Sequence, residues 1–456
     1  MKKLKIRMLG ASLGVIIIIM AHLAGASLVP NLQIYEFSKN IGLEYGVSIY
    51  KNSCCEGYTL LNVLDSNLMY TLLIDMNGTE IKRWNLDPSP AKMLPNGNLI
   101  GGGFITNGSL EYTNAVTQID WDGNIVWNFC NWTIVHQELS ARMHHDFQRE
   151  GNPVGYYAPG QEGLSLGKTL ILSRENMLLP QISRKELIDD VIYEVDWDGN
   201  LTGFEWHAID HIDEFGFNLR QRIGIFLKPG LYYQRNTIGN GDLFHINTIS
   251  LLGENRFYNE GYEQFNPENI MICSRHTNTV AIINRETGKL VWKIGPQYTK
   301  RTAERCKLGQ IIGPHFAHMI PSGLPGEGNI LLFDNGGWAG YSIFGTCNRF
   351  RGYSRVIEFD PITLDIIWGY SNKRGLPFKT SRNSDRFFSP LISSAQRLPN
   401  GNTLITEGSY GRIFEVTSEN EIVWKFIIQN MTPVYRAYRV PPEWVPGNPS
   451  RYSDWQ

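Results

Sequence analysis

Six stretches of the chain share one pattern of apolar and polar positions. Each opens on a β-rich apolar run, breaks at an Asp or polar turn with Gly or Asn, resumes with a short apolar run and closes on Trp. They are LLIDMNGTEIKRW (ending at Trp84), VTQIDWDGNIVW (Trp127), IYEVDWDGNLTGFEW (Trp206), VAIINRETGKLVW (Trp292), RVIEFDPITLDIIW (Trp368) and IFEVTSENEIVW (Trp424). Two apolar runs joined by turn residues predict a β-hairpin. A second phrase, L-P-N-G-N at Leu94 and Leu398, precedes LIGGG and TLITEG, and PSGLPGEGNILLFDNG is a looser copy. It predicts a turn leading into another strand. No long segment shows the 3.6-residue period of a helix.

Repeated hairpins with Trp in a fixed place are the pattern of propeller blades. The chain is therefore expected to be all-β, a six-bladed β-propeller preceded by an N-terminal hydrophobic segment. A large β-sandwich is the alternative, but it does not predict six copies of one hairpin. The copies are spaced unevenly, from about 45 residues to nearly 90. Long insertions must then lie between some blades, and loops gathered on one face of a scaffold are where sites form.

The chain has 456 residues, 42% of them hydrophobic, which suffices for a sizeable core. Its net charge of −2 argues against a nucleic-acid-binding protein. The first residues change the picture. Lys2, Lys3, Lys5 and Arg7 form a positive start, and an uncharged run extends from Met8 to about Val29. Ala24-Gly25-Ala26 has the form of a cleavage site, yet the run is also long enough to span a bilayer. Residues 1–29 are thus a signal peptide or a membrane anchor, and residues 30–456 the propeller. Either way the rest of the chain is exported: periplasmic, extracellular or anchored on the outer face of the membrane. Five N-x-S/T sequons, at Asn77, Asn107, Asn131, Asn200 and Asn430, fit an exported chain. So do six cysteines without a C-x-x-C pattern, which suggest disulfides. Cys306 and Cys347 bracket one loop that a bridge would staple.

Ten histidines remain to be explained. His144 and His145 lie in MHHDFQREGNPVGYY, His245 in GDLFHINTIS, His276 in ICSRHTNTVAIIN beside Arg275, and His315 and His318 in GPHFAHMIP. These segments precede or separate the hairpins, so they come from different blades and could meet at the mouth of a central channel. A metal is one use for them. On a strand, however, residues three apart point to opposite faces. His315 and His318 then cannot share one ion, and the same alternation separates His144 from His145. No carboxylate or cysteine joins the histidines at a telling spacing. Chemistry without a metal is the other use. A neutral histidine can attack an electrophile, a second can protonate the leaving group, an arginine fork matches an oxyanion, and an asparagine adds a donor.

DLFHINTIS, CSRHTNTVAIINRETGKLVWKIG, PHFAHMIP with NILLFDNGG, the HHDF segment and the terminal YRAYRVPPEWVP together resemble the arylsulfate sulfotransferase (arylsulfotransferase) family, over most of the chain after the N-terminal segment. The resemblance implies a six-bladed propeller, in agreement with the repeat count. It implies transfer of a sulfuryl group from a phenolic sulfate ester to another phenol, ping-pong, through a sulfohistidine. No nucleotide sulfate donor, cofactor or metal is then needed; the partners are a small phenolic sulfate donor and a phenol acceptor. It casts His315 as nucleophile, His245 and Asn247 as the H-x-N pair that binds the sulfuryl group and assists the leaving oxygen, and Arg275 as the sulfate clamp. His145 becomes a further active-site histidine, with His144 the weaker candidate for that place.

The chain departs from the better-known bacterial members in having little room for their longer N-terminal β-rich region, which leaves oligomeric state open. The stretch from Arg275 to His315 is also short. His276 and His318 read as structural, His207 and His211 have no assigned role, and the hairpin Trp residues read as core packing. Asp120, Asp122, Asp196 and Asp198 fall in D-W-D-G turns, and two copies in six do not make a calcium repeat. Two other readings stay open: an exported propeller that only binds sulfated or phenolic ligands, and a metal-dependent lyase or hydrolase.

Overall fold

A computed structural model describes residues 45–65, 69–103, 115–152, 154–160, 167–230, 241–298, 301–343, 349–372 and 386–448. The expected signal or anchor, Asn107 and Cys347 lie outside them. The expected six-bladed β-propeller is present: six antiparallel sheets ring a centre, each read below from its innermost strand outward. Blade 1 is Val434–Val440, Tyr58–Leu64, Met69–Ile74 and Glu80–Trp84; blade 2 is Asp87–Met93, Leu99–Gly102, Val116–Ile119 and Ile125–Phe129. Blade 3 is Met143–Arg149, Thr169–Met177, Leu187–Val195 and Leu201–His207; blade 4 is Ile246–Leu251, Ile270–Ser274, Thr279–Ile283 and Leu290–Ile294. Blade 5 is His315–Met319, Ile330–Asp334, Arg355–Phe359 and Ile366–Ser371; blade 6 is Ser394–Arg397, Thr403–Glu407, Arg412–Val416 and Ile422–Ile427, with Gly46–Tyr50 added at its rim.

The repeated phrase is the outer hairpin of each blade, and its Trp does more than pack. Every one of the six donates its indole N–H to a backbone carbonyl in the outer turn of the following blade. Trp84 donates to Trp121 at 3.0 Å, Trp127 to Trp197 at 2.8 Å and Trp206 to Gly288 at 2.8 Å. Trp292 donates to Pro361 at 2.9 Å, Trp368 to Ser418 at 3.1 Å and Trp424 to Met76 at 2.9 Å. Each such bond is worth about 1 kcal/mol, and six of them stitch the rim into a ring. The D-W-D-G turns are closed by their own aspartates: Asp120 and Asp196 each accept the N–H four residues on, at 2.8 Å.

Closure comes from the two ends of the chain. The C-terminal strand Val434–Val440 pairs with Tyr58–Leu64, so the last strand completes the first blade. Beneath the inner strands a buried ion cluster ties blades 1 to 4. Asp146 accepts from Lys92 at 2.7 Å, from Arg436 at 3.1 Å and from the Ile249 N–H at 3.2 Å.

The absence of helical periodicity does not exclude helices. Leu219–Leu227 is an α-helix in the insertion between blades 3 and 4, held by a reciprocal capping box of Asn218 and Gln221. Among the described residues no disulfide is formed, and Cys54, Cys55, Cys130 and Cys273 are thiols. The expected Cys306–Cys347 pairing involves a residue outside the described set.

Candidate active site

All innermost strands start at the same end of the ring, and this shared direction brings their first residues together at one mouth. The backbone there is not regular strand. His145 and His245 sit in the left-handed region at φ 56° and 51°, and Phe316 at 49°. The ladder shifts register at each place, between Met143 and Phe147, Ile246 and Thr248, and His315 and His318. Such bulges re-aim side chains, and non-glycine residues held at positive φ cost energy that functional sites commonly retain.

The bulge in blade 3 overturns the expectation that strand alternation separates His144 from His145: their Nδ1 atoms lie 2.9 Å apart. His145 also meets the His245 ring edge-on at 4.6 Å between centroids, and His245 stacks on His276 at 4.5 Å. His276, expected to be structural, is thus part of the same imidazole cluster. His318 is turned away. It accepts from the Tyr156 hydroxyl at 2.8 Å within the core, and burial pushes it down to about 3.

Proton positions follow from the partners. His315 Nδ1 faces the Gly313 carbonyl at 3.1 Å and Asn335 Oδ1 at 2.7 Å. The Asn335 amide cannot flip, because its NH₂ donates to the Ser389 and Ile392 carbonyls, each at 2.8 Å. His315 therefore carries its proton on Nδ1 and its lone pair on Nε2. Burial, and then the Arg275 charge, holds it well below the usual histidine range, so the ring is neutral. His276 repeats the arrangement: its Nδ1 donates to the Asp242 carbonyl at 2.8 Å, and its Nε2 is buried with no hydrogen-bond partner. His144 donates from Nε2 to the Ser173 carbonyl at 3.0 Å, with Asp190 at 3.1 Å. Its Nδ1 then accepts from His145 Nδ1, which leaves the His145 lone pair on Nε2 as well. Burial lowers His144, His145 and His276 far below 6.5.

His245 differs, since its Nδ1 lies 2.6 Å from the Asp242 carboxylate. Burial opposes ionisation of Asp242, but His245 and His276 beside it hold it well below the usual range, so it stays an anion. Burial and the Asp242 charge push nearby Asp190 up to about 7. The reading that no carboxylate joins the histidines is thus corrected: Asp242, three residues before His245, touches both His245 and His276. Together the three bring one ligand-type atom each within 4.8 Å of one another. Both Nδ1 atoms are already donated to Asp242.

Arg275 follows strand Ile270–Ser274 directly and is buried against the same mouth, its guanidinium donating to the Trp338 carbonyl at 3.5 Å. Asn247 is fully buried between blades 4 and 5. Its NH₂ donates to the Pro314 carbonyl at 2.9 Å, one residue before His315, and its oxygen accepts from Thr248 at 2.9 Å. Tyr435 donates to the His145 carbonyl at 3.2 Å. All six residues singled out in the sequence come together here. Asp242, Asn335, Tyr435 and Arg436 were not foreseen. Only Asp242 and Asn335 had a local signal, lying three residues before a candidate histidine and at the end of a strand in F-D-N-G.

The model of the family described as arylsulfotransferase (ASST) matches residues 175–429, more than half of the chain. His245, Asn247, Arg275 and His315 lie inside that span. No curated protein is significantly similar to the chain. Among solved structures, a protein of unknown function from Bacteroides caccae is similar at 11% identity and TM-score 0.43, covering 84% of this chain and 99% of that one. Virginiamycin B lyase from Staphylococcus aureus is similar at 11% identity and TM-score 0.31, covering 85% and 89%.

Proposed function

The chain belongs to the arylsulfotransferase family, and on that premise we propose that it moves a sulfuryl group from an aryl sulfate ester to a phenolic acceptor through a sulfohistidine on His315. The observation that carries this reading is the fixed tautomer of His315. Asn335 and the Gly313 carbonyl hold its Nδ1 proton, and the neutral ring presents the Nε2 lone pair beside the Arg275 charge.

In the first half-reaction Nε2 attacks sulfur, the N–S bond forms and the S–O bond to the aryl group breaks. The departing phenolate takes a proton from His245. Asp242 holds the Nδ1 proton of His245 at 2.6 Å and balances the charge when Nε2 carries a second proton. In the second half the acceptor phenol returns a proton to His245, its oxygen attacks sulfur, and the N–S bond breaks. Arg275 offers a planar fork to the sulfuryl oxygens. His145, packed edge-on against His245, offers its Nε2 lone pair as a second acceptor for the phenol hydroxyl. Asn247 acts through its bond to the Pro314 carbonyl and is a positioning residue, as are Asn335, Asp242 and His144.

Residues 1–29 fit this role as a signal or anchor that exports the propeller. Rapid mixing with 4-nitrophenyl sulfate in the absence of acceptor tests the reading. The wild type is expected to release a burst of about one phenol per active site, the pattern of a covalent intermediate. A His315→Ala protein that retains the burst would sink it.

A further inference from the structure

The mouth of the propeller also carries apolar side chains that face outward. The hairpin formed by Trp132–Val135 and Glu138–Ala141 leaves blade 2 after Phe129. Register places it at the mouth end: Phe129 pairs with Val116, Gly102 with Val116, and Gly102 with Asp87, the first residue of an innermost strand. Leu139 lies opposite Ile134 in the hairpin, and Trp132 is two residues from Ile134, so all three share one face. That face is open, with Ile134 76% exposed.

The helix Leu219–Leu227 stands beside it. The chain links are short: His136 in the hairpin turn meets Glu186 at 2.9 Å, and the Arg184 N–H donates to the Phe226 carbonyl at 3.2 Å. In this helix the amphipathic pattern is inverted. Gln221, Gly224 and Ile225 are buried, while Leu219, Ile223 and Phe226, at the i, i+4, i+7 spacing of one stripe, face outward, Leu219 72% exposed. Arg220 and Arg222 flank the stripe and are exposed, as is Arg184. An outward apolar stripe edged by arginines is the pattern of a helix lying in a membrane interface.

The first described strand, Gly46–Tyr50, starts at the same end. Gly46 pairs with Ile427, Ile427 with Arg412, Arg412 with Glu407, and Ser394, the first residue of the blade 6 inner strand, with Thr406. The uncharged run Met8–Val29 is followed by only 15 residues before residue 45, a tether of at most about 50 Å. We propose that the mouth face docks on a lipid bilayer carrying anionic headgroups, with Trp132, Ile134 and Leu139 of the hairpin and Leu219, Ile223 and Phe226 of the helix at the lipid boundary. The active site then opens toward the membrane surface. This inference does not rest on sulfuryl transfer, and its test involves no turnover.

The full chain is bound to vesicles of phosphatidylcholine and phosphatidylglycerol whose acyl chains are brominated near the headgroup, and tryptophan quenching is read. Residues 1–44 contain no Trp, so quenching reports the propeller. Trp132→Phe is expected to remove at least half of the quenching, and Ile134→Glu with Leu139→Glu to lower it at least twofold while the Trp residues remain. Omitting phosphatidylglycerol is expected to lower it about twofold. Vesicle-bound protein whose quenching is unchanged by Trp132→Phe and by the double substitution would overturn the proposal. So would a hairpin that is shielded by a second copy, seen as a dimer cross-linked through this face in the absence of lipid.

Discussion

Four buried histidines, His144, His276, His315 and His318, hold a single proton at a position chosen by a carbonyl or amide oxygen, and the consequence differs from ring to ring. For His315 the consequence is a lone pair aimed from Nε2. Removing the Asn335 oxygen frees the tautomer without touching Nε2, the proposed attacking atom. Asn335→Ala is therefore expected to lower kcat roughly 10²-fold with little change in KM, and a burst that survives at a slower rate would identify Asn335 as a positioning residue. For His318 the consequence is stability. Its folded value is near 3, below the value of about 6.5 in the unfolded chain. The unfolded state thus binds more protons between these values, and the His318 contribution is lost as pH falls through that window, by about 1.4 kcal/mol per pH unit. Urea unfolding of wild type and His318→Gln between pH 7 and pH 5 is expected to give a shallower acid-side loss in the variant. Equal slopes would show that His318 is not buried and neutral. At this scale the sequence revealed the ring-bearing residues through motif, but not their partners. Asp242 and Asn335 come from a loop and a strand end, and only the fold sets them against His245 and His315.

The outer hairpins were legible because each carries its own turn chemistry and apolar runs of strand length. The innermost strands were not. MHHDFQR, for example, is buried at six of its seven positions, yet its polar residues hide any two-residue period. Their burial is satisfied by partners from other blades, which local pattern cannot report. The bulges were equally hidden: nothing in the residue type of His145 or His245 announces a positive φ, and that conformation is what brings His144 and His145 together. Asp146 is where the inner strands depend on one another most. Asp146→Asn leaves Lys92 and Arg436 buried without their shared anion, a change expected to cost about 3–5 kcal/mol. Chemical denaturation measures this, and a loss below about 1 kcal/mol would mean that the cluster is solvated.

The whole molecule places a closed ring of six blades around one mouth, with closure by the C-terminal strand and rim bonds from six tryptophans. Repeat counting reached the blade number because one phrase recurs in each blade. The ring closure was out of reach, since Val434–Val440 pairs with Tyr58–Leu64 across nearly the whole chain. The family assignment suggests the class of chemistry, and the mouth brings together the neutral His315, the Arg275 charge and the Asp242-backed His245 on which the proposed transfer rests. The most direct test is mass spectrometry of peptides from protein briefly mixed with 4-nitrophenyl sulfate and no acceptor. The account predicts one sulfuryl group on the His315 imidazole, lost when phenol is added and absent from His315→Ala. Phenol release with no adduct on any histidine, or an adduct on His245 or His145 instead, would contradict it.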